Sequence, residues 1–174
     1  MSAAPTQQQQ KKRKTRATPE SSPSHFSFDM DTPFTANRNF VHFVIQGRPL
    51  PFKRPGFGWN KRRYNANKGE QAVFVRTMLS LFEAHDAELI HFDRSCEIDV
   101  KLVYFLPGSV TTRPPDVDNL AKFTLDALQG AGIFPNDCQV TKLLAEKRLC
   151  STNKRAASNG ATEITVAKKV IEID

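Results

Sequence analysis

A chain of 174 residues with 39% apolar content is long enough for one packed domain plus a tail, and none of its apolar runs nears the roughly 20 residues that a membrane-spanning helix needs. Its 25 Lys and Arg against 18 Asp and Glu leave a formal charge of +7 and a pI near 9.5, which favours an anionic partner. Cys96, Cys138 and Cys150 are too few and too widely spaced for a disulfide framework or a zinc site, and the start Met-Ser-Ala-Ala-Pro lacks the apolar stretch of a secretory signal, so a reducing intracellular compartment is the simplest expectation.

Residues 1–39 combine a glutamine run, the basic block Lys11-Lys12-Arg13-Lys14-Thr15-Arg16 and a Ser/Thr/Pro-rich stretch with little apolar content, the composition of a disordered tail. The basic block has the make-up of a nuclear localisation signal; an electrostatic DNA tether, an organelle transit peptide and a plain solvated tail are the alternatives. The domain is expected over residues 40–174. Phe40 to Gln46 is a short apolar run that reads as a buried strand. Gly47 to Lys68 is a long loop, and loops of that length inside a compact domain tend to be functional. It carries Arg48, Lys53, Arg54, Lys61, Arg62 and Arg63 with no acidic residue among them, interleaved with Phe52, Phe57, Trp59 and Tyr64. Cations suit phosphates and aromatic faces suit bases, although a packed surface loop could share this composition.

From Gly69 to Leu89, Val73, Val75, Met78, Leu79, Leu81 and Phe82 predict an amphipathic helix. Cys96 to Phe105 alternates Ile98, Val100 and Leu102 with Glu97, Asp99 and Lys101, a strand pattern. Next comes Arg113-Pro-Pro-Asp-Val-Asp-Asn-Leu-Ala-Lys122, in which two prolines fix an extended entry and two carboxylates stand one residue apart. A helix cap at Val117 explains one aspartate but not both. Like charges this close call for a neutralising cation, and hard divalent ions such as Mg²⁺ take oxygen ligands. Leu120, Phe123, Ala127 and Leu128 continue at helical spacing to Gly130, a candidate stop, and Asp118, Lys122 and Asp126 share one helix face. A loop with Pro135 presents Asp137 before a strand from Cys138 to about Leu149, where Glu146 and Lys147 point to opposite faces. After a polar turn, Thr162 to Ile173 forms the last strand. His42, inside an apolar strand, reads as a hydrogen-bonded core or interface residue. The order β-α-β-α-β-β predicts a single α/β (α+β) domain with a mixed sheet and two main helices.

The string Pro-Asp116-Val-Asp118-Asn119-Leu-x-Lys122-x-x-x-Asp126-Ala-Leu, followed by Asn136-Asp137-x-Gln139-Val140 and then Lys147, resembles the RusA family of Holliday-junction resolvases. The resemblance is densest from Arg113 to Lys147. It implies a metal-dependent endonuclease in which Asp116, Asp118 and Asp137 hold Mg²⁺, with Mn²⁺ as the alternative, and Lys122 is needed for catalysis. Lys147 would orient the carboxylates or touch phosphate. It further implies branched DNA as substrate, a role in recombination and repair, and a homodimer with two sites for paired nicks. One departure is Asn136, where the family often has Asp: a charge is lost but an oxygen ligand remains. The other readings are a catalytically silent DNA-binding protein on the same scaffold, and a metal nuclease acting on forks, flaps or RNA.

Overall fold

A computed structural model of the protein describes residues 26–53, 56–57, 63–64, 66–107, 114–150 and 159–169. The elements are β1 (Thr35–Asn37), β2 (Phe40–Gln46), β3 (Gly56–Phe57), β4 (Arg63–Tyr64), α1 (Lys68–Ala84), β5 (Ile98–Pro107), α2 (Val117–Ala131), a 3₁₀ turn at Asp137–Gln139, β6 (Val140–Cys150) and β7 (Ala161–Lys168). Five strands form one mixed sheet in the order β1-β2-β7-β5-β6, while β3 and β4 make a separate ribbon inside the long basic loop. Among the described strands only β5 and β6 run parallel, because α2 carries the chain across between them; the other pairings are antiparallel. This is the α+β domain with a mixed sheet and two helices that the residue pattern predicts.

Alternation decides which face of the sheet is covered. Val41, Phe43 and Ile45 of β2, Ile98, Val100, Leu102, Tyr104 and Leu106 of β5, and Ile164 and Val166 of β7 share one core with both helices. Phe74, Met78, Leu81 and Phe82 are α1's contribution, and Leu120, Phe123 and Leu128 are α2's. Inside this core the Tyr104 hydroxyl donates to Thr124 Oγ1 at 3.0 Å and the Thr124 hydroxyl donates to the Leu120 carbonyl at 3.1 Å, so these two buried hydroxyls are satisfied. Burial pushes the Tyr104 phenol well above its ordinary range, partly opposed by the bond to Thr124. The other face holds His42, whose Nδ1 lies 2.9 Å from Thr165 Oγ1, consistent with a hydrogen-bonded strand residue rather than a ligand.

Several boundaries move. The fold reaches back beyond the expected start at Phe40: Ser27 bridges to Gln46, β1 pairs with β2, and the Phe26 ring meets Phe74 edge-on at 5.0 Å. Phe34 stacks on His85 at 4.2 Å and meets Phe82 edge-on at 5.2 Å. Residues 26–39 therefore belong to the domain, held by isolated aromatic anchors in an otherwise polar stretch; residues 1–25, with the basic block, lie outside the described residues. Helix α1 stops at Ala84, and Asp86 follows with φ 49°. Helix α2 runs through Gly130 to Ala131 and ends at Gly132, whose φ of 83° turns the chain so that its N–H meets the Gln129 carbonyl. The last strand spans Ala161–Lys168, and residues 170–173 of the expected strand lie outside the described residues.

Candidate active site

The aspartate pair stands at the start of α2. Asp116 is the N-cap residue, with the extended backbone (φ −68°, ψ 142°) usual at that position, and its carbonyl accepts the Leu120 N–H at 3.1 Å. Its side chain makes no capping bond, so helix capping does not account for Asp116. Asp118 lies in the first turn, and both residues are exposed. Neither carboxylate has a hydrogen bond or ion pair among the described residues. Two uncommitted anions at a helix N-terminus gain some stabilisation from its partial positive charge.

One turn further, Lys122 Nζ lies 2.9 Å from Asp126 Oδ1 and 3.9 Å from Asp137 Oδ2. The hydrogen bond to Asp126 holds the ammonium above the usual lysine range; partial burial opposes this, and the nearby Asp137 charge adds to it. Lys122 is therefore a fixed positive charge, still 47% exposed and open to a substrate.

Asp137 reaches Lys122 because the turn that carries it is pinned at both ends. Asn136 Oδ1 accepts the Cys138 N–H at 3.0 Å, which caps the 3₁₀ turn. The Gln139 side chain is buried, and its Nε2 donates to the carbonyls of Asp93 at 2.6 Å and Cys96 at 3.0 Å. Asn136, the departure from the family string, thus has a local structural task. Lys147, on the β6 face shared with the helices, donates from Nζ to the Pro115 carbonyl at 2.9 Å. It braces the residue directly before Asp116. Glu146 pairs instead with Arg148 at 2.9 Å, as strand alternation requires, and that partner draws the Glu146 carboxyl below its usual range.

The basic loop starts beside the same helix. The Phe52 N–H donates to the Asn119 carbonyl at 2.7 Å, between Asp118 and Lys122 in sequence. Asn67 is fully buried: its Oδ1 accepts the Lys53 N–H and its Nδ2 donates to the Pro51 carbonyl at 3.3 Å. Lys53 Nζ pairs with Glu70 at 2.8 Å, and this hydrogen bond lowers the Glu70 pKa against a small opposing effect of burial. Arg48 is exposed at the start of the loop. Arg54, Lys61, Arg62 and the Arg63 side chain lie outside the described residues. Sequence reasoning missed Asn67 and gave Gln139 no role; both are buried polar residues that hydrogen-bond to main-chain atoms.

Among the described residues, no three Asp, Glu, His or Cys side chains are gathered closely enough to hold a metal ion. The structure brings Asp137 to Lys122 but does not gather Asp116, Asp118 and Asp137 into a cluster. Mutual repulsion of three carboxylates opposes such a cluster. The donor chemistry nevertheless suits a hard divalent cation: oxygen ligands only, two of them without competing partners.

A mixed sheet under two helices thus sets Asp116, Asp118 and Lys122 in the first turns of α2, with Asp137 beside Lys122. The chain belongs to the RusA endodeoxyribonuclease family, whose family model, described as Endodeoxyribonuclease RusA, matches residues 46–167. That span contains every candidate site residue named above. A comparison with curated proteins finds no match. A solved structure from Desulfovibrio vulgaris, described as a MotB-like protein, aligns over 79% of this chain and 82% of its own, with 13% identity and a TM-score of 0.31, a likeness too slight to bear on fold or activity.

Proposed function

We propose that this protein is a Mg²⁺-dependent, structure-selective DNA endonuclease that resolves Holliday junctions by paired phosphodiester hydrolysis, in recombination and repair. The observation that carries the reading is Lys122, held charged between Asp126 and Asp137 one turn after the uncommitted Asp118. Asp116, Asp118 and Asp137 would hold Mg²⁺, or Mn²⁺ in its place. When bound, such a cation lowers the pKa of a coordinated water and offsets charge on the phosphoryl oxygens. The chain's own groups do the rest. Lys122 stabilises charge developing on the phosphoryl or leaving oxygen, as a compact point charge can. Lys147 keeps the Pro-Pro-Asp segment in place through the Pro115 carbonyl. Arg48, Lys53, Arg54, Lys61, Arg62 and Arg63 contact phosphates, and the aromatic residues between them stack on sugars or bases.

Paired nicks in opposed strands call for two sites related by symmetry, so the working unit is a homodimer. Strand β6 supports this. It is an edge strand whose outer side meets no strand among the described residues, and Leu143, Leu144 and Leu149 make up half of the large exposed apolar side chains of those residues. Antiparallel pairing of β6 with a second copy about Leu144 sets each Lys142 opposite the other copy's Glu146, a complementary register. Nuclear import through Lys11–Arg16 is the corresponding proposal for location, checked by the distribution of a tagged chain with and without that block.

The test is a gel assay with labelled four-way junctions, replication forks, flaps, duplex and RNA, with and without Mg²⁺. Symmetric nicks in the junction alone, dependent on the metal, are expected. Binding without cleavage under all conditions would mean a silent DNA-binding protein, and preferred cutting of forks, flaps or RNA would replace the substrate.

A further inference from the structure

We infer that the groove between α1 and α2 receives an unpaired nucleobase of the DNA, and that Asp126 reads the exocyclic amine of that base. This rests on the junction-cleaving reading above and names what that site recognises next to the scissile phosphate. The groove has a volume of about 440 Å³, within the range of small-molecule sites and larger than a single base requires. Val75 and Ala127 give it apolar walls, while Gln71, Arg76 and Asp126 bring polar groups to it. Flat apolar walls with a few hydrogen-bonding groups are what an unstacked base needs.

Two further observations point to the same occupant. The first is that Asp126 belongs both to the groove and to the candidate active site. Its Oδ1 takes the Lys122 ammonium, and Oδ2 has no partner among the described residues. A base whose amine donates to Asp126 would therefore sit one side chain away from Lys122. Adenine, cytosine and guanine carry such an amine and thymine does not.

The second is Gly130. It stands exposed within α2, where glycine is the poorest helix former apart from proline. Its φ is not left-handed, and a Cβ placed on it would meet only Val75 Cγ2, at an ordinary 3.8 Å. Neither the backbone nor the packing of this chain requires glycine at that position. What its missing side chain does is keep the groove open. Arg76, exposed at the groove, adds a cation for the phosphate that follows the base or for stacking on its face. Branched DNA offers unpaired bases at its crossover, as uninterrupted duplex does not.

The experiment uses the full chain on a set of four-way junctions that differ only in the base at positions flanking the cut, with each variant's unfolding midpoint as a folding control. At one flanking position, wild type is expected to cleave junctions with an amine-bearing base about tenfold faster than those with thymine, as a single well-made base contact allows. Gly130→Leu, which fills the groove, should bring that ratio to within about twofold while retaining cleavage of the thymine junction, whereas Gly130→Ala should keep most of it. The surface change Arg76→Ala should lower the ratio too, and it serves alone if Gly130→Leu fails to fold. The inference is overturned if wild type shows no base preference at any flanking position, or if Gly130→Leu and Arg76→Ala, where folded, keep the wild-type ratio. Should wild type cut no junction, the nuclease reading has failed by itself, and 2-aminopurine placed at each flanking position then decides. A fluorescence gain on binding that Gly130→Leu removes supports a base in the groove. No gain, or a gain that survives the substitution, leaves the groove to a second copy or another segment of this chain.

Discussion

Lys147, on the edge strand β6, donates a hydrogen bond of 2.9 Å to the carbonyl of Pro115, the residue immediately before Asp116. A side chain at one end of the family string thus braces the main chain at its other end. The bond is exposed, so its net contribution to stability is about 1 kcal/mol or less. Its expected effect is on geometry: Lys147→Met should lower the cleavage rate by about tenfold, because small misplacements of reacting groups are costly, while leaving junction affinity within about twofold. Single-turnover rates and binding titrations on one junction separate the two. Weakened binding with an unchanged rate would make Lys147 a phosphate contact instead.

Asp116→Asn and Asp118→Asn should each abolish cleavage while junction binding persists or tightens, since removing a carboxylate removes repulsion of phosphate. Mobility-shift and cleavage assays with Mg²⁺ on the same preparations check this. A variant that cuts at the wild-type rate takes that residue out of the ligand set.

Lys122→Ala should slow cleavage by on the order of 10²-fold with little change in binding. The pH dependence follows from the sign of its shift. Its pKa in the folded protein is raised, so its contribution to stability is fully present below the unfolded value and is lost as pH rises through the folded one. Lys122 should therefore stay charged across neutral and mildly alkaline pH, and a rate profile between pH 7 and about 10 should show no fall that vanishes in the alanine variant.

The tail and the strap after it should behave differently. Deleting residues 1–25 should leave cleavage of a four-way junction intact in vitro. Deleting residues 1–39 also removes β1 and the rings of Phe26 and Phe34, and should cost ~3 kcal/mol of stability, as loss of a packed aromatic does. Denaturant midpoints of the two truncations give the comparison; equal midpoints would mean the strap contributes no stability.

Replacing Lys61, Arg62 and Arg63 by Ala should weaken binding and flatten its salt dependence, each lost phosphate contact changing the slope of log K against log salt by roughly 0.9. Titrations at several salt concentrations measure that slope, and an unchanged value returns the loop to packed surface.

What could be read from the sequence divides by physical cause. The alternation of Ile98, Val100 and Leu102 showed β5, since one buried face imposes period two on a strand. The pairing of Lys122 with Asp126 followed from helical spacing alone. The strap at residues 26–39 escaped because Phe26, Phe28 and Phe34 are sparse, and average composition hides single anchors. Asn67 and Gln139 escaped because they bond to main-chain carbonyl and amide groups, which nearly every residue carries alike. The helix stop was misplaced by two residues, at Gly130 instead of Gly132, because glycine tolerates a helix as well as ending it.

The position of β6 has a consequence for how activity fails. Among the described strands β6 pairs with β5 alone, while β1, β2, β7 and β5 are joined to one another without it. Peeling that one ladder away would carry off Lys147 and loosen the turn that bears Asp137, yet leave the remaining sheet paired. Such partial openings lie at lower free energy than global unfolding. Catalysis should accordingly disappear at denaturant concentrations where most backbone amides of β2, β5 and β7 are still protected from exchange. A second copy seated along β6 would close that gap, coupling the lifetime of the active state to protein concentration.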